Sequence, residues 1–182
     1  MVLPIAVGIG VLAQSIILTF YGQEFLPSVL SLQILMGSLF FVFINFPLGS
    51  LLNGCDKQKT NTKLVGLTMI FNIILNLVLI PKYSFIGSSV AFLICQVFLT
   101  VISVYVAQKI SHYNLGSAVQ IFLKTVFSAF IMGLAVYLLQ EKLGLFYVVF
   151  IGAVVYILML IILRGVSKQD YLEMKAAFLK QK

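Results

Sequence analysis

The stretch FNIILNLVLIPKYSFIG, residues 71–87, sets two asparagines four residues apart in a run that is otherwise apolar as far as Ile80. Side chains at i and i+4 share one face of a helix, so Asn72 and Asn76 project side by side. An unpaired carboxamide in apolar surroundings costs about 1–3 kcal/mol. Two of them kept in so greasy a run raise the question of which solvent surrounds the chain.

Composition answers it. The 182 residues are 62% hydrophobic and only 9% charged, with mean hydropathy +1.13 and no tryptophan. Soluble domains carry about 25% charged residues, and a polar shell for a water-filled exterior cannot be assembled from this chain. It reads as an integral membrane protein. A crossing helix needs about 20 mostly apolar residues for a hydrocarbon core about 30 Å thick. Six such runs are present, at residues 2–20, 27–52, 64–80, 85–107, 118–139 and 145–163. Short polar breaks separate them: YGQEFL, NGCDKQKTNTK, PKYS, QKISHYNLGS and QEKLG. The short alternating runs of an outer-membrane barrel are absent. The fold class expected is therefore all-α, a polytopic membrane bundle of six transmembrane helices. The first run is too long and too weakly flanked for a cleaved signal peptide.

Orientation follows from the cations. With NGCDKQKTNTK placed in the cytoplasm, Lys57, Lys59, Lys63, Lys109, Lys124, Arg164 and the four lysines of the tail share that side. Only Lys82 and Lys142 lie opposite. That asymmetry predicts a cytoplasmic-membrane protein with both termini cytoplasmic. The net charge of +7 then reflects topology and anionic membrane lipid, and no nucleic acid is needed to explain it. The tail SKQDYLEMKAAFLKQK predicts a surface helix: Ser167 and Asp170 suit a capped start, and Tyr171, Met174 and Phe178 fall on one face.

Enzymatic chemistry finds no material. All five acids, Glu24, Asp56, Glu141, Asp170 and Glu173, lie outside the apolar runs, as does the single histidine, His112. No paired carboxylates, metal cluster, activated nucleophile or phosphate loop can be built. Cys55 and Cys95 fall in a cytoplasmic break and in the fourth run, a poor setting for a disulfide. The expectation is a non-enzyme without cofactor or metal.

The spans do carry neutral polarity. It is concentrated in the first four: Gln14 and Ser15; Gln33, Ser38, Asn45, Ser50 and Asn53; Asn72 and Asn76; then Ser88, Ser89, Gln96, Thr100 and Ser103. The last two spans are nearly bare of it. This divides the chain into residues 1–108 with four polar-bearing spans, residues 109–163 with two peripheral spans, and a basic tail at 164–182. Such side chains serve as interhelical glue or line a hydrated cavity. As a set they point to a cavity, with Asn45, Pro47, Asn53, Asn72, Asn76 and Gln96 as its candidate lining. Pro47 lacks a backbone donor and clashes with the carbonyl four residues back, so NFPLGS is a candidate hinge. Gly87 and Ala91 form a small-residue face suited to close helix approach.

The stretches YGQEFLPSVLSLQIL, PLGSLLNGCDKQKTNT and NIILNLVLIPKYSFIGSSVA resemble the C-terminal region of polysaccharide transport proteins. These are the O-antigen, teichoic-acid and exopolysaccharide flippases of the multidrug/oligosaccharidyl-lipid/polysaccharide exporter superfamily. The resemblance covers residues 19 to 107; the family pattern has glycine where Ser84 stands and lacks the acid at Asp56. It implies a transporter of two rocking lobes and roughly 12–14 helices, of which this chain would be the C-terminal part. The implied function is translocation of a polyprenyl-pyrophosphate-linked oligosaccharide, with the missing N-terminal lobe or a second copy as partner. It also implies that the passenger's pyrophosphate meets cations, for which Lys57, Lys59, Lys63 and Lys124 are candidates. A small-molecule cation antiporter of the same superfamily and a non-transporting membrane scaffold are the alternatives.

Overall fold

The computed structural model of the chain describes residues 2–110, 115–139 and 145–162. Every described element is a helix: α1 Val2–Phe20, a 3-10 turn at Gln23–Phe25, α2 Ser28–Gly54, α3 Gln58–Ile110, α4 Leu115–Leu139 and α5 Leu145–Ile162. The chain divides into two compact units, Met1–Asn114 and Leu115–Lys182.

In the first unit, Gly22 ends α1 with φ +86°, and both Tyr21 and Gly22 donate their N–H to the Ile17 carbonyl. Pro27, whose ring fixes φ near the helical value, then opens α2. The end of α2 is a Schellman motif: Lys57 N–H donates to Leu52 O at 2.9 Å and Asp56 N–H to Asn53 O at 3.3 Å. Asp56 occupies the left-handed position at φ +56°, where glycine is the usual choice and Asp is tolerated. The chain resumes its helix at Gln58. This corrects the expected NGCDKQKTNTK break: Lys59 and Lys63 stand on the first turns of α3, Asn53 on the last turn of α2, and only residues 55–57 connect the two helices.

Hydrogen bonding runs nearly continuously through α3, but Ser84 has φ +53°, ψ −134°, far outside helical space. The side-chain pairs on either side show what happens there. Phe71 stacks on Phe98 at 4.8 Å, Asn72 reaches Cys95, and Gly87 abuts the Leu79 carbonyl. Each pair is centred near residue 84, so the chain reverses into an antiparallel hairpin of limbs 58–83 and 85–110. A Cβ on Gly87 would collide with the backbone of Leu79, which makes glycine a steric requirement of the turn. Each limb extends about 39 Å at 1.5 Å per residue, enough to cross a bilayer.

Among the described residues three helices are long and apolar enough to span a membrane, α1, α2 and the folded α3; shorter apolar stretches follow at Val126–Leu139 and Tyr147–Tyr156. The candidate hinge behaves differently from expectation. α2 passes through Pro47 as one helix, and the sharp reversal falls at Ser84, three residues after Pro81.

Burial is inverted relative to a water-soluble fold. The interior of the first unit holds mostly small or polar side chains, with Ala13, Ser38 and Ala91 fully enclosed and Ser31, Ser89 and Ser103 nearly so, beside the buried Leu3, Leu12, Ile17 and Leu52. Large apolar groups face outward, Phe46 being 79% and Leu77 72% exposed. Helices in lipid gain little by hiding apolar area from one another, so their contacts favour small residues and interhelical hydrogen bonds. Four lysines, Lys57, Lys59, Lys63 and Lys109, share the end of the unit opposite the hairpin turn, while Lys82 sits beside that turn.

In the second unit α4 and α5 pack through Ala129, Met132 and Val136 against Val148, Gly152 and Tyr156. The expected surface helix of the tail, Lys142, Arg164 and His112 lie outside the described residues.

Candidate functional site

Four of the six candidate lining residues converge where α2 meets both limbs of α3. Asn45 on α2 donates its Nδ2 to Gln96 Oε1 at 3.0 Å and to the Gln96 carbonyl at 3.3 Å. On the neighbouring position of the same limb, Cys95 Sγ accepts from Asn72 Nδ2 at 3.4 Å. Asn76 then donates to both Asn72 Oδ1 and the Asn72 carbonyl, each at 2.9 Å. The adjacent residues Cys95 and Gln96 thus tie α2 to one side of the hairpin and the opposite limb to the other. The result is a seam of four carboxamides and a buried thiol.

The seam is under-satisfied. Asn45 Oδ1 and Asn76 Oδ1 are buried and accept no hydrogen bond from the described residues. A carboxamide oxygen can accept two, and a buried acceptor left empty costs about 1–3 kcal/mol. The arrangement therefore holds capacity for donors, two oxygens facing away from amide groups already engaged with their neighbours.

A second polar knot lies toward the hairpin tip. Ser89 Oγ donates to Ser31 Oγ at 2.9 Å and Ser31 Oγ donates to the Phe85 carbonyl at 3.3 Å, which lies 3.2 Å from Ser89 Oγ as an alternative acceptor. Phe85 directly follows the Ser84 reversal, so these bonds fasten the hairpin turn to the start of α2. A further bond at the lysine end joins Asn61 Nδ2 to Asn53 Oδ1 at 3.2 Å, against Gly49. Pro47 is exposed, and Asn53 lies apart from the seam, so neither joins the other four.

Sequence inspection had overlooked Ser31. The signal was present: Ser31, Ser38, Asn45 and Leu52 recur every seven residues along α2, as Ser89, Gln96 and Ser103 do along the second limb. A seven-residue spacing keeps side chains on one helical stripe, and these are the stripes that meet.

The candidate cations are placed unequally. Lys57 ends the connection between α2 and α3, with Lys59 two residues and Lys63 six residues beyond it, on the first two turns of α3. Lys124 belongs to α4, in the other unit, and its side chain lies outside the described part. Among the described residues no group of three or more His, Cys, Asp or Glu could hold a metal.

No family model matches the chain, and no solved structure matches it. The chain is similar to "Uncharacterized membrane protein MJ1068" of Methanocaldococcus jannaschii, 29% identical over 89 residues. That match takes in 49% of this chain and 18% of the relative, so the chain covers under a fifth of the protein it resembles. Together with the apolar helices and their outward-facing large side chains, this similarity identifies a helical membrane protein.

Proposed function

We propose that the chain is part of a transporter that moves a lipid-linked oligosaccharide across the cytoplasmic membrane, its termini on the cytoplasmic side. A further lobe or a second copy completes the passage. The observation that carries this reading is the pair of buried acceptors that take no hydrogen bond from the described residues, Asn45 Oδ1 and Asn76 Oδ1, within the carboxamide seam. Sugar hydroxyls are the donors such oxygens lack. The resemblance of residues 19 to 107 to polysaccharide transport proteins supports the same substrate class.

A low-cost exchange would let the seam serve a moving passenger. Each amide–amide bond contributes about 0.5–1.5 kcal/mol net. Replacing Asn45–Gln96 contacts by amide–hydroxyl contacts leaves the count of bonds unchanged, so α2 and the hairpin can part around a sugar without a large barrier. Lys57, Lys59 and Lys63 stand at the entrance expected to be cytoplasmic, where ammonium groups offer point charges to pyrophosphate. Lys124, on α4, is proposed as a phosphate contact in its own right.

The test is leaflet-resolved transfer of a fluorescent polyprenyl-pyrophosphate oligosaccharide by the complete transporter in proteoliposomes. Lys124→Gln is expected to cut transfer sharply at unchanged insertion, and Lys124→Arg to retain part of it, since the charge survives in altered geometry. Asn76→Leu, which removes one empty acceptor, is expected to slow transfer of the glycan-bearing lipid. The mutual pairing of the seam amides favours a second reading, a non-transporting membrane scaffold. Normal transfer by both Lys124→Gln and Asn76→Leu would leave that reading in place.

A further inference from the structure

The two limbs of the α3 hairpin repeat one interval. Phe71 on Phe98 and Asn72 on Cys95 fix their register, which sets Lys63 level with Tyr105 and Tyr83 level with Phe85. Lys63 to Tyr83 is 20 residues, as is Phe85 to Tyr105, and each interval rises about 30 Å at 1.5 Å per residue. Between the two levels the exposed side chains of the first limb are all apolar, among them Val65, Met69, Ile74, Leu77 and Ile80.

Aromatic and charged side chains end this apolar surface at both levels. At the turn, Tyr83 and Phe85 are exposed, and the hydrogen bond from Ser31 to the Phe85 carbonyl brings the start of α2 beside them. The Tyr21–Leu26 connection therefore lies at the same end, with Tyr21 and Phe25 exposed and their rings 5.8 Å apart. Glu24 and Lys82 are exposed there too. At the other level the Lys109 ammonium lies 4.4 Å over the ring of the exposed Tyr105. Tyrosine favours the boundary between acyl chains and headgroups, and lysine extends its ammonium through it.

The interval equals the thickness of a hydrocarbon core, about 30 Å. We propose that the two levels are the two phospholipid interfaces: Tyr83, Phe85 and the Tyr21–Phe25 pair lie at one, Lys63, Tyr105 and Lys109 at the other, and acyl chains cover the first limb between them. A span longer than the core would tilt, so the match holds the hairpin close to the membrane normal. It also fixes the depth of the carboxamide seam. The midpoints of the two intervals are Ile73 and Cys95, so the Asn72–Cys95 hydrogen bond lies at the bilayer midplane, with Gln96 beside it. Whatever meets these amides does so about 15 Å from either interface. The inference stands on the hairpin and is independent of what the chain transports.

The chain has no tryptophan, so a single introduced one is its own depth probe. The experiment places Tyr83→Trp, Tyr105→Trp and Ile74→Trp one at a time in the full chain, in phosphatidylcholine bilayers whose acyl chains carry bromine near the headgroup or near the chain end. All three positions are exposed, so the added ring displaces no packed neighbour; Ile73→Trp, also exposed, repeats the midplane measurement. Tryptophan at 83 and at 105 is expected to be quenched about twofold more strongly by the shallow bromine, and at 73 and 74 about twofold more strongly by the deep one. Deep quenching at 83 or 105, or shallow quenching at 73 and 74, would overturn the register. Absence of quenching at every depth at 73 and 74 would overturn it as well, since protein rather than lipid would then cover that limb.

Discussion

The two units hold their helices together by different means. In the first, α2 and the α3 hairpin meet through amides and hydroxyls: Asn45 with Gln96, Asn72 with Cys95, Ser31 with Ser89. In the second, α4 and α5 meet through Ala129, Met132, Val136, Val148 and Gly152, with Ser128 the one buried polar side chain among the described residues. Polar contacts are directional and exchangeable, whereas apolar contacts between small side chains are neither. The contrast sets directional polar contacts between α2 and the hairpin against close, mostly apolar packing between α4 and α5.

Two glycines make the contrast measurable. Gly87→Ala puts a Cβ into the Leu79 backbone, which cannot turn aside, and should destabilise the first unit by about 3 kcal/mol. Gly152→Ala brings its Cβ to 2.8 Å from Cγ2 of Val136, a buried β-branched side chain that must shift by a few tenths of an ångström, less costly than displacing backbone. Helix propensity favours alanine by about 1 kcal/mol, so the net change in the second unit should stay within about 0.5 kcal/mol. Unfolding of both variants in mixed micelles, followed by circular dichroism, compares them directly. Equal effects would erase the distinction between a backbone-tight and a side-chain-tolerant contact.

The seam itself yields a smaller effect. Asn45→Ala and Gln96→Ala should each cost about 1–2 kcal/mol, and the double variant should fall short of their sum by about 0.6–1.5 kcal/mol of coupling. Additive losses would mean that the two amides do not act as a pair. Smaller still, and opposite in sign, is the response at the two strained positions. Ser84→Gly relieves a conformation that suits glycine and should stabilise by about 1 kcal/mol; Asp56→Gly, at a position Asp tolerates, should gain about 0.5 kcal/mol. The same unfolding titration reads both.

Much of the first unit was legible in the sequence because hydropathy reports solvent directly. The apolar runs, the polar break at PKYS and the concentration of amides and hydroxyls in the first four spans all stand in composition alone. What could not be read was which amide meets which. Asn45 and Gln96 are 51 residues apart, and their meeting depends on how each helix is rotated about its axis. The lysine break was misjudged for a different reason. Its polar residues resemble a loop, yet the Schellman turn needs only three of them, and Gln58, Lys59, Thr60 and Asn61 continue as helix. Pro47 drew attention as a breaker, but α2 accommodates it, while the actual reversal is set by Ser84 and the close approach at Gly87.

The central claim is that the seam's empty acceptors receive sugar hydroxyls. Its most direct test is binding of a polyprenyl-pyrophosphate oligosaccharide to the chain in nanodiscs, compared with the same lipid stripped of its glycan. The account predicts saturable preference for the glycan-bearing lipid, weakened about tenfold in Asn45→Leu and Asn76→Leu, with no change in affinity for the stripped lipid. Equal affinity for the two lipids, or full glycan preference retained in both variants, would contradict it.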